Sequence, residues 1–310
     1  MKQVRRAVSG VLLLDKPPGV SSNSAVGWAK RLFQAEKAGH TGTLDPFATG
    51  LLPICFGEAT KFSRFMLDAD KGYRATLKLG QRSSTGDTEG EITHGAPVII
   101  DDAGIQKLLA GFQGATTQIP PMHSALKRDG VPMYKLARQG LEIEREPRDI
   151  VIQQIKLAAL SGDQLVIDVL VSKGTYIRVL AQDIGDAIGC GAYLTALRRI
   201  STGGLNIADS VTFDALDALA LAQRDAMLRP PESLAAALPE VVLDAIQSEA
   251  LQNGQVPRLH LSLDDATEYR VRSDAGIFLG VARASRHGDA LSALTAVRMM
   301  SSRPLQLETD

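Results

Sequence analysis

Two cysteines, Cys55 and Cys190, stand far apart in 310 residues with no Cys-x-x-Cys or Cys/His spacing around them, so neither a disulfide framework nor a zinc module is encoded. A reducing, cytoplasmic setting fits that scarcity. Long apolar runs are missing too. Nothing approaches the roughly 18 residues of a membrane span, and the apolar run 11–14 behind the basic start stops at Asp15 and Lys16, short of a signal core. The expectation is a soluble protein with no membrane partner. An excess of one charge sign is absent, the formal net charge being -1, which taken whole disfavours a polyanionic partner. The spacings G-x-x-x-x-G-K-[ST] and G-x-G-x-x-G do not occur, so a phosphate cradle is weakly supported. His94, His123, His260 and His287 show no ligand spacing, and no metal is expected.

The charge that is present is unevenly placed. Residues 1–90 hold thirteen Lys or Arg against eight Asp or Glu, whereas 209–250 hold two against eight. A basic front beside an acidic stretch is compatible with a polyanion held on one side, and equally with the unevenness of ordinary enzymes. A hydrophobic share of 45% marks a globular chain, and its length allows about two domains.

Periodicity supplies the elements. The run 11–14, closed by Lys16, Pro17, Pro18 and Gly19, reads as a buried strand entering a turn. Ser21 or Ser22 then caps a helix whose Ala25, Trp28, Ala29, Leu32 and Phe33 share one face. Residues 39–53, GHTGTLDPFATGLLP, lack a period until Leu51 and read as a loop. Residues 73–79 alternate as a half-buried strand. Ile105, Leu108, Leu109 and Phe112 mark a helix, and 118–148, with four prolines and many cations, a long excursion. Strand patterns resume at 150–160 and 164–171, a helix follows over 175–188, and 209 to about 250 suggests one or two acidic helices. Short Arg-bearing apolar runs at 269–271, 276–283 and 291–299 suggest a small β domain. The mixture predicts an α+β fold rather than a doubly wound sheet.

Two segments carry chemistry. Asp45 precedes Pro46, which biases it to an extended conformation, among glycines and threonines that offer donors. It fits a fixed nucleophile or base, and equally an Asx-turn in a surface loop. Arg178, in SKGTYIRVLAQDIG, falls in the first turn of the 175–188 helix, where the helix dipole does not favour a cation. It reads as the partner of a nearby anion or as a surface ion pair.

Together these segments resemble a known family. GVLLLDKPPGVSSN, GHTGTLDPFATGLLPICFGEATK, KGYRATLKLG, STGDTEG, IPPMHSALK and GTYIRVLAQDIG occur in that order, similar to the bacterial tRNA pseudouridine-55 synthases of the TruB type. The resemblance covers about residues 10–205. It implies a pseudouridine synthase fold, with a mixed, mostly antiparallel sheet flanked by helices and loops. Residues 1–249 would form the catalytic domain, with an RNA-clasping insertion at 119–148 whose cations include Lys127, Arg128, Lys135, Arg138, Arg145 and Arg148. Residues 250–310 would form a small β-rich PUA-like RNA-binding domain. The activity implied is isomerisation of uridine 55 in the T-loop of tRNA, by a cytoplasmic monomer that holds the T arm.

Position by position, the resemblance makes Asp45 the catalytic aspartate and Arg178 its arginine partner. Tyr73 would stack on the target base and serve in proton transfer, and His40 would enter the RNA loop as the base leaves. Tyr176 and Leu197 would line the uracil pocket, and Lys16 with Pro17 would support the active-site loop. Asp87 lies in a matching segment without an assigned role. The isomerisation moves no electrons or phosphates, so no cofactor is expected. Arg178 is expected to offset the rise that a dry pocket imposes on the pKa of Asp45. RNA remodelling without chemistry is a second reading, though a pure binder has no use for a carboxylate facing an anion. A glycosidase-like hydrolase would want two carboxylates about a sugar, and no second acid stands out.

Overall fold

The computed structural model describes residues 5–286, except 125, 129, 138 and 142, together with 291–301; for 127, 128, 132, 134 and 135 it describes the backbone alone. The expectations placed on Arg138, His287, the side chains of Lys127, Arg128 and Lys135, and the terminus beyond 301 lie outside the described residues.

A nine-stranded mixed sheet organises the larger part of the chain. Its main path runs Gly10–Lys16, Thr49–Phe56, Ala192–Thr202, Lys71–Leu79, Gln164–Val171, Arg148–Ser161 and Gly114–Gln118. Every pairing on that path is antiparallel except the seam between Thr49–Phe56 and Ala192–Thr202, which is parallel and joined only through Arg198↔Thr49 and Arg199↔Gly50. Gly50 is required there. At φ +102°, a Cβ on it would lie 2.3 Å from the Arg199 carbonyl oxygen, so only the missing side chain lets the strands approach. The sheet is mostly antiparallel, as the α+β expectation requires.

Alternation explains the central strand. Tyr73, Ala75, Leu77 and Leu79 are buried while Arg74 is exposed, and the buried set joins Leu165, Ile167, Leu194 and the Ile177, Leu180, Ala181 and Ile184 face of the helix Ile177–Ile188. The helix Ser22–Leu32 packs Ala25 and Ala29 into the same core. Its N-cap is Ser21, whose side chain accepts from the Ser24 amide at 3.1 Å, a cap that contributes ~1 kcal/mol. Trp28, on the expected apolar face, is half-buried and stacks on Phe213 at 4.0 Å.

Several local expectations change. Residues 39–53 are less irregular than their composition suggests: Ala38–His40 and Thr49–Phe56 are paired strands, leaving 41–48 as the loop. No long acidic helix forms after 209. Helices Phe213–Asp217 and Leu221–Ala226, a 3-10 turn Pro231–Ala235, a strand Glu240–Leu243 and a helix Ala245–Gln252 succeed one another. Pro230, Pro231 and Pro239 forbid one continuous helix, and Thr212 and Asp244 cap fresh ones.

A second, five-stranded sheet runs Glu240–Leu243, Glu268–Ser273, Phe278–Arg286, Ser292–Met299 and Arg258–Leu259. It begins before residue 250, which lies inside the helix packed upon it. Val11, Leu13, Leu51 and Phe62 meet Leu234 and Val281 in a shared cluster, joining the two sheets through the back of the first. Among the described residues no helix is long and apolar enough to cross a membrane.

Candidate active site

The loop 41–48 leaves the sheet beside its parallel seam, and its backbone is fixed at several points. The buried Ser22 hydroxyl accepts from the Leu44 amide at 2.8 Å and donates to the Leu44 carbonyl at 2.9 Å. Lys16, fully buried, donates from Nζ to the carbonyls of Pro17 (2.9 Å), Val20 (2.7 Å) and Pro46 (3.2 Å). The Gly19 amide also donates to Pro46, at 2.8 Å. Asp45 is therefore held through both of its neighbours. Arg199 donates to the carbonyls of Gly42 and Leu51 on either side of the loop.

Arg178 comes to this loop from the second residue of the helix Ile177–Ile188. Its Nε lies 3.1 Å from Asp45 Oδ2, and its Nη1 lies 3.3 Å from Asp87 Oδ2. The guanidinium also donates to the carbonyls of Thr85 (3.3 Å) and His123 (2.8 Å). Asp87 is fixed in turn, its Oδ1 accepting from Thr85 Oγ1 at 2.5 Å and from the Glu89 amide at 3.0 Å. The three side chains differ in access. Arg178 and Asp87 retain 6% and 4% of their side-chain surface, Asp45 38%. Gly86, at φ +77°, makes the turn that brings Asp87 in, and a Cβ on it would meet Arg178 Cβ at 3.2 Å.

The electrostatics follow from that packing. Burial pushes the Asp45 pKa up; Arg178 pulls it down, Asp87 pushes it up and Lys16 pulls it down, and the net direction is upward. The expected offset by Arg178 is thus incomplete, because burial outweighs it and the charge of Asp87 adds to the rise. Lys16 is lowered to about 8, mainly by burial, with Asp45 opposing and Arg199 reinforcing the shift. His40 is half-buried and lowered by burial and then by Arg199, so its imidazole is neutral near pH 7. Its Nδ1 accepts from the Gly42 amide at 3.2 Å, which sets the tautomer with the proton on Nε2.

Tyr176 joins the cluster. Its backbone amide donates to Gln118 Oε1 at 2.7 Å while Gln118 Nε2 donates to its carbonyl at 3.1 Å. Burial raises the phenol pKa; a hydrogen bond with Ser124 and the charges of Arg148 and Arg178 lower it, and Asp45 raises it. Tyr73 and Leu197 are buried on adjacent strands, Tyr73 opposite Arg199 and Leu197 opposite Ala75. The Tyr73 hydroxyl makes no hydrogen bond among the described residues. Asp45, Asp87, Arg178, Lys16 and Tyr176 are thus electrostatically joined, His40 stands at the start of the same loop, and Tyr73 and Leu197 lie in the sheet beside it.

Ser22, Gln118 and Arg199 were not singled out by the sequence reading as parts of this site. Arg199 alone left a trace, a charge in the strand-like run LTALRRIST.

Comparison with known proteins gives this centre its class. Residues 30–177 match the TruB family pseudouridylate synthase N-terminal domain, 178–243 the tRNA pseudouridylate synthase B C-terminal domain, and 239–292 the pseudouridine synthase II TruB C-terminal domain. The match defines a pseudouridylate synthase. The tRNA pseudouridine synthase B of Burkholderia mallei is 52% identical over 291 residues, covering 92% of this chain and 93% of that protein. That of Neisseria gonorrhoeae is 49% identical and covers 97% of both. A solved Cbf5-Nop10-Gar1 complex contains a chain of the same fold, with TM-score 0.76 and 24% identity, covering 96% of this chain and 86% of that one. The protein belongs to the TruB family of pseudouridylate synthases, RNA-modifying isomerases.

Proposed function

We propose that the protein converts uridine 55 in the T-loop of tRNA to pseudouridine, with Asp45 as the group that reacts with the nucleoside. The observation that carries this reading is the asymmetry about Arg178. Of the two carboxylates on one buried guanidinium, Asp87 is sealed and serves to hold the arginine, while Asp45 keeps 38% of its side-chain surface and is open to solvent. The relatives' names point to tRNA as the substrate.

The chemistry conserves every atom of the substrate except one exchanged proton. The N1 to C1′ bond breaks, uracil turns, C5 bonds to C1′, and the C5 proton leaves while N1 gains one. An ionised Asp45 can add to C1′ or C6, or remove a ribose proton on the way to a glycal. Arg178 favours the ionised form against burial and aims the carboxylate. Tyr73 offers a face for the base, a contact worth ~1 to 3 kcal/mol, and a hydroxyl for moving the C5 proton. Tyr176 and Leu197 complete the walls.

A base within a folded RNA arm must first be extruded, at a cost of a few kcal/mol. A neutral His40, flat and with hydrogen-bonding edges, suits the vacated place. The insertion 119–148 would close over the T arm, and its stem already reaches the centre through the His123 carbonyl and Ser124. The C-terminal sheet supplies a second RNA-binding surface in this reading. We place the protein in the cytoplasm as a monomer; its two free, buried cysteines suit a reducing compartment. The test is tritium release from a tRNA transcript labelled at uridine C5, incubated with pure protein alone. Release of about one tritium per tRNA is expected, and none would overturn the reading.

A further inference from the structure

The catalytic loop is tied to the sheet at both ends by one side chain that the proposed reaction does not otherwise use. We propose that Arg199 is a positioning residue for Asp45, a buried fork that fixes the ends of the segment 42–51 and so sets where the carboxylate stands. The proposal rests on the functional reading above, since it concerns the same reaction.

Arg199 is 1% exposed. Its Nε donates to the Leu51 carbonyl at 2.7 Å and its Nη2 to the Gly42 carbonyl at 3.2 Å. Among the described residues no carboxylate lies within ion-pair distance of it. A buried cation without a carboxylate is costly to desolvate, so filling space does not account for an arginine here. What arginine alone supplies is a rigid planar donor set that satisfies two carbonyls at once. The same residue holds the segment by its backbone as well, through the parallel pairing with Gly50. One strand residue therefore grips the segment at positions 42, 50 and 51, and Asp45 lies between these grips with its neighbours fixed by Ser22 and Lys16.

Its charge is felt at the site. Arg199 contributes to lowering both Lys16 and His40, the two basic groups that flank the loop. Loss of the fork would free the Gly42 and Leu51 carbonyls and let the carboxylate drift from Arg178 Nε. Displacement on the scale of an ångström costs a reaction of this kind about 10²-fold in rate.

The experiment compares wild type, Arg199→Lys and Arg199→Met in full-length protein, reading tRNA dissociation constant, single-turnover rate at saturating enzyme, and melting temperature. Arg199→Met is expected to bind tRNA within about threefold of wild type and to turn over about 10²-fold more slowly. Arg199→Lys, able to reach one carbonyl, should recover part of the rate. A Met variant with near-wild-type rate overturns the proposal. So does loss of rate that merely tracks loss of folded, RNA-binding protein, and so does failure of both variants to fold, because the role is then structural. If wild type itself yields no pseudouridine, it is the functional reading that fails.

Discussion

Adjacent serines at the start of one helix offer a sharp test of how the loop is held. Ser21 caps the helix through a single bond to the Ser24 amide at 3.1 Å, whereas Ser22 turns the other way and clamps both backbone groups of Leu44 at 2.8 and 2.9 Å. Ser21→Ala should cost ~1 kcal/mol, the usual loss of an N-cap. Ser22→Ala leaves a buried N–H and a buried C=O without partners, at ~1 to 3 kcal/mol each. At roughly 2 °C per kcal/mol for a chain of this size, the melting temperature should fall about 2 °C for Ser21→Ala and about 4 to 12 °C for Ser22→Ala. The kinetic contrast should be larger. Leu44 precedes Asp45, so its release loosens the carboxylate, and single-turnover rate at a temperature where both variants are folded should fall at least tenfold for Ser22→Ala alone. Equal turnover by the two variants would refute the reasoning that the Leu44 clamp positions Asp45.

Two other perturbations separate roles within the site. Tyr73→Phe keeps the stacking face and should bind RNA nearly normally while losing at least ~10²-fold in single-turnover rate; a near-normal rate would show that the hydroxyl moves no proton. Asp87→Asn removes a charge that raises the Asp45 pKa and leaves Arg178 to Asp45 alone, so the acidic limb of kcat/KM should move to lower pH, Asp45 staying ionised further down. The same change breaks a buried pair and should cost about 3 kcal/mol, the low end for such pairs because Asp45 remains. An unmoved limb together with an unchanged melting temperature would contradict the shared-arginine picture.

How much of this was legible in the sequence depends on where each residue's partners lie. Local sequence pattern revealed the strands at 73–79 and 164–171 because their burial follows a period of two. The stretch from 209 to about 250 was read as one or two acidic helices because Ala and Leu favour helix everywhere, while its stops are set by Pro230, Pro231, Pro239 and the caps at Thr212 and Asp244. Asp45 and Arg178 stood out through the segments that surround them. Ser22 and Arg199 did not, since both bind backbone groups of distant residues, and a backbone carbonyl has no identity in a sequence. The upward direction of the Asp45 pKa was hidden for a related reason: it depends on how much water packing removes and on the nearby charge of Asp87, neither of which spacing encodes.

The central claim is that Asp45 carries the isomerisation of one uridine in the T-loop. The most direct measurement maps pseudouridine by position in an unmodified tRNA transcript after treatment with wild type and with Asp45→Asn. Asn is nearly isosteric but neither attacks nor accepts a proton as a carboxylate does. Wild type is expected to modify uridine 55, and Asp45→Asn to modify none at RNA affinity within about tenfold of wild type. Modification at another position, or substantial turnover by Asp45→Asn, would contradict it.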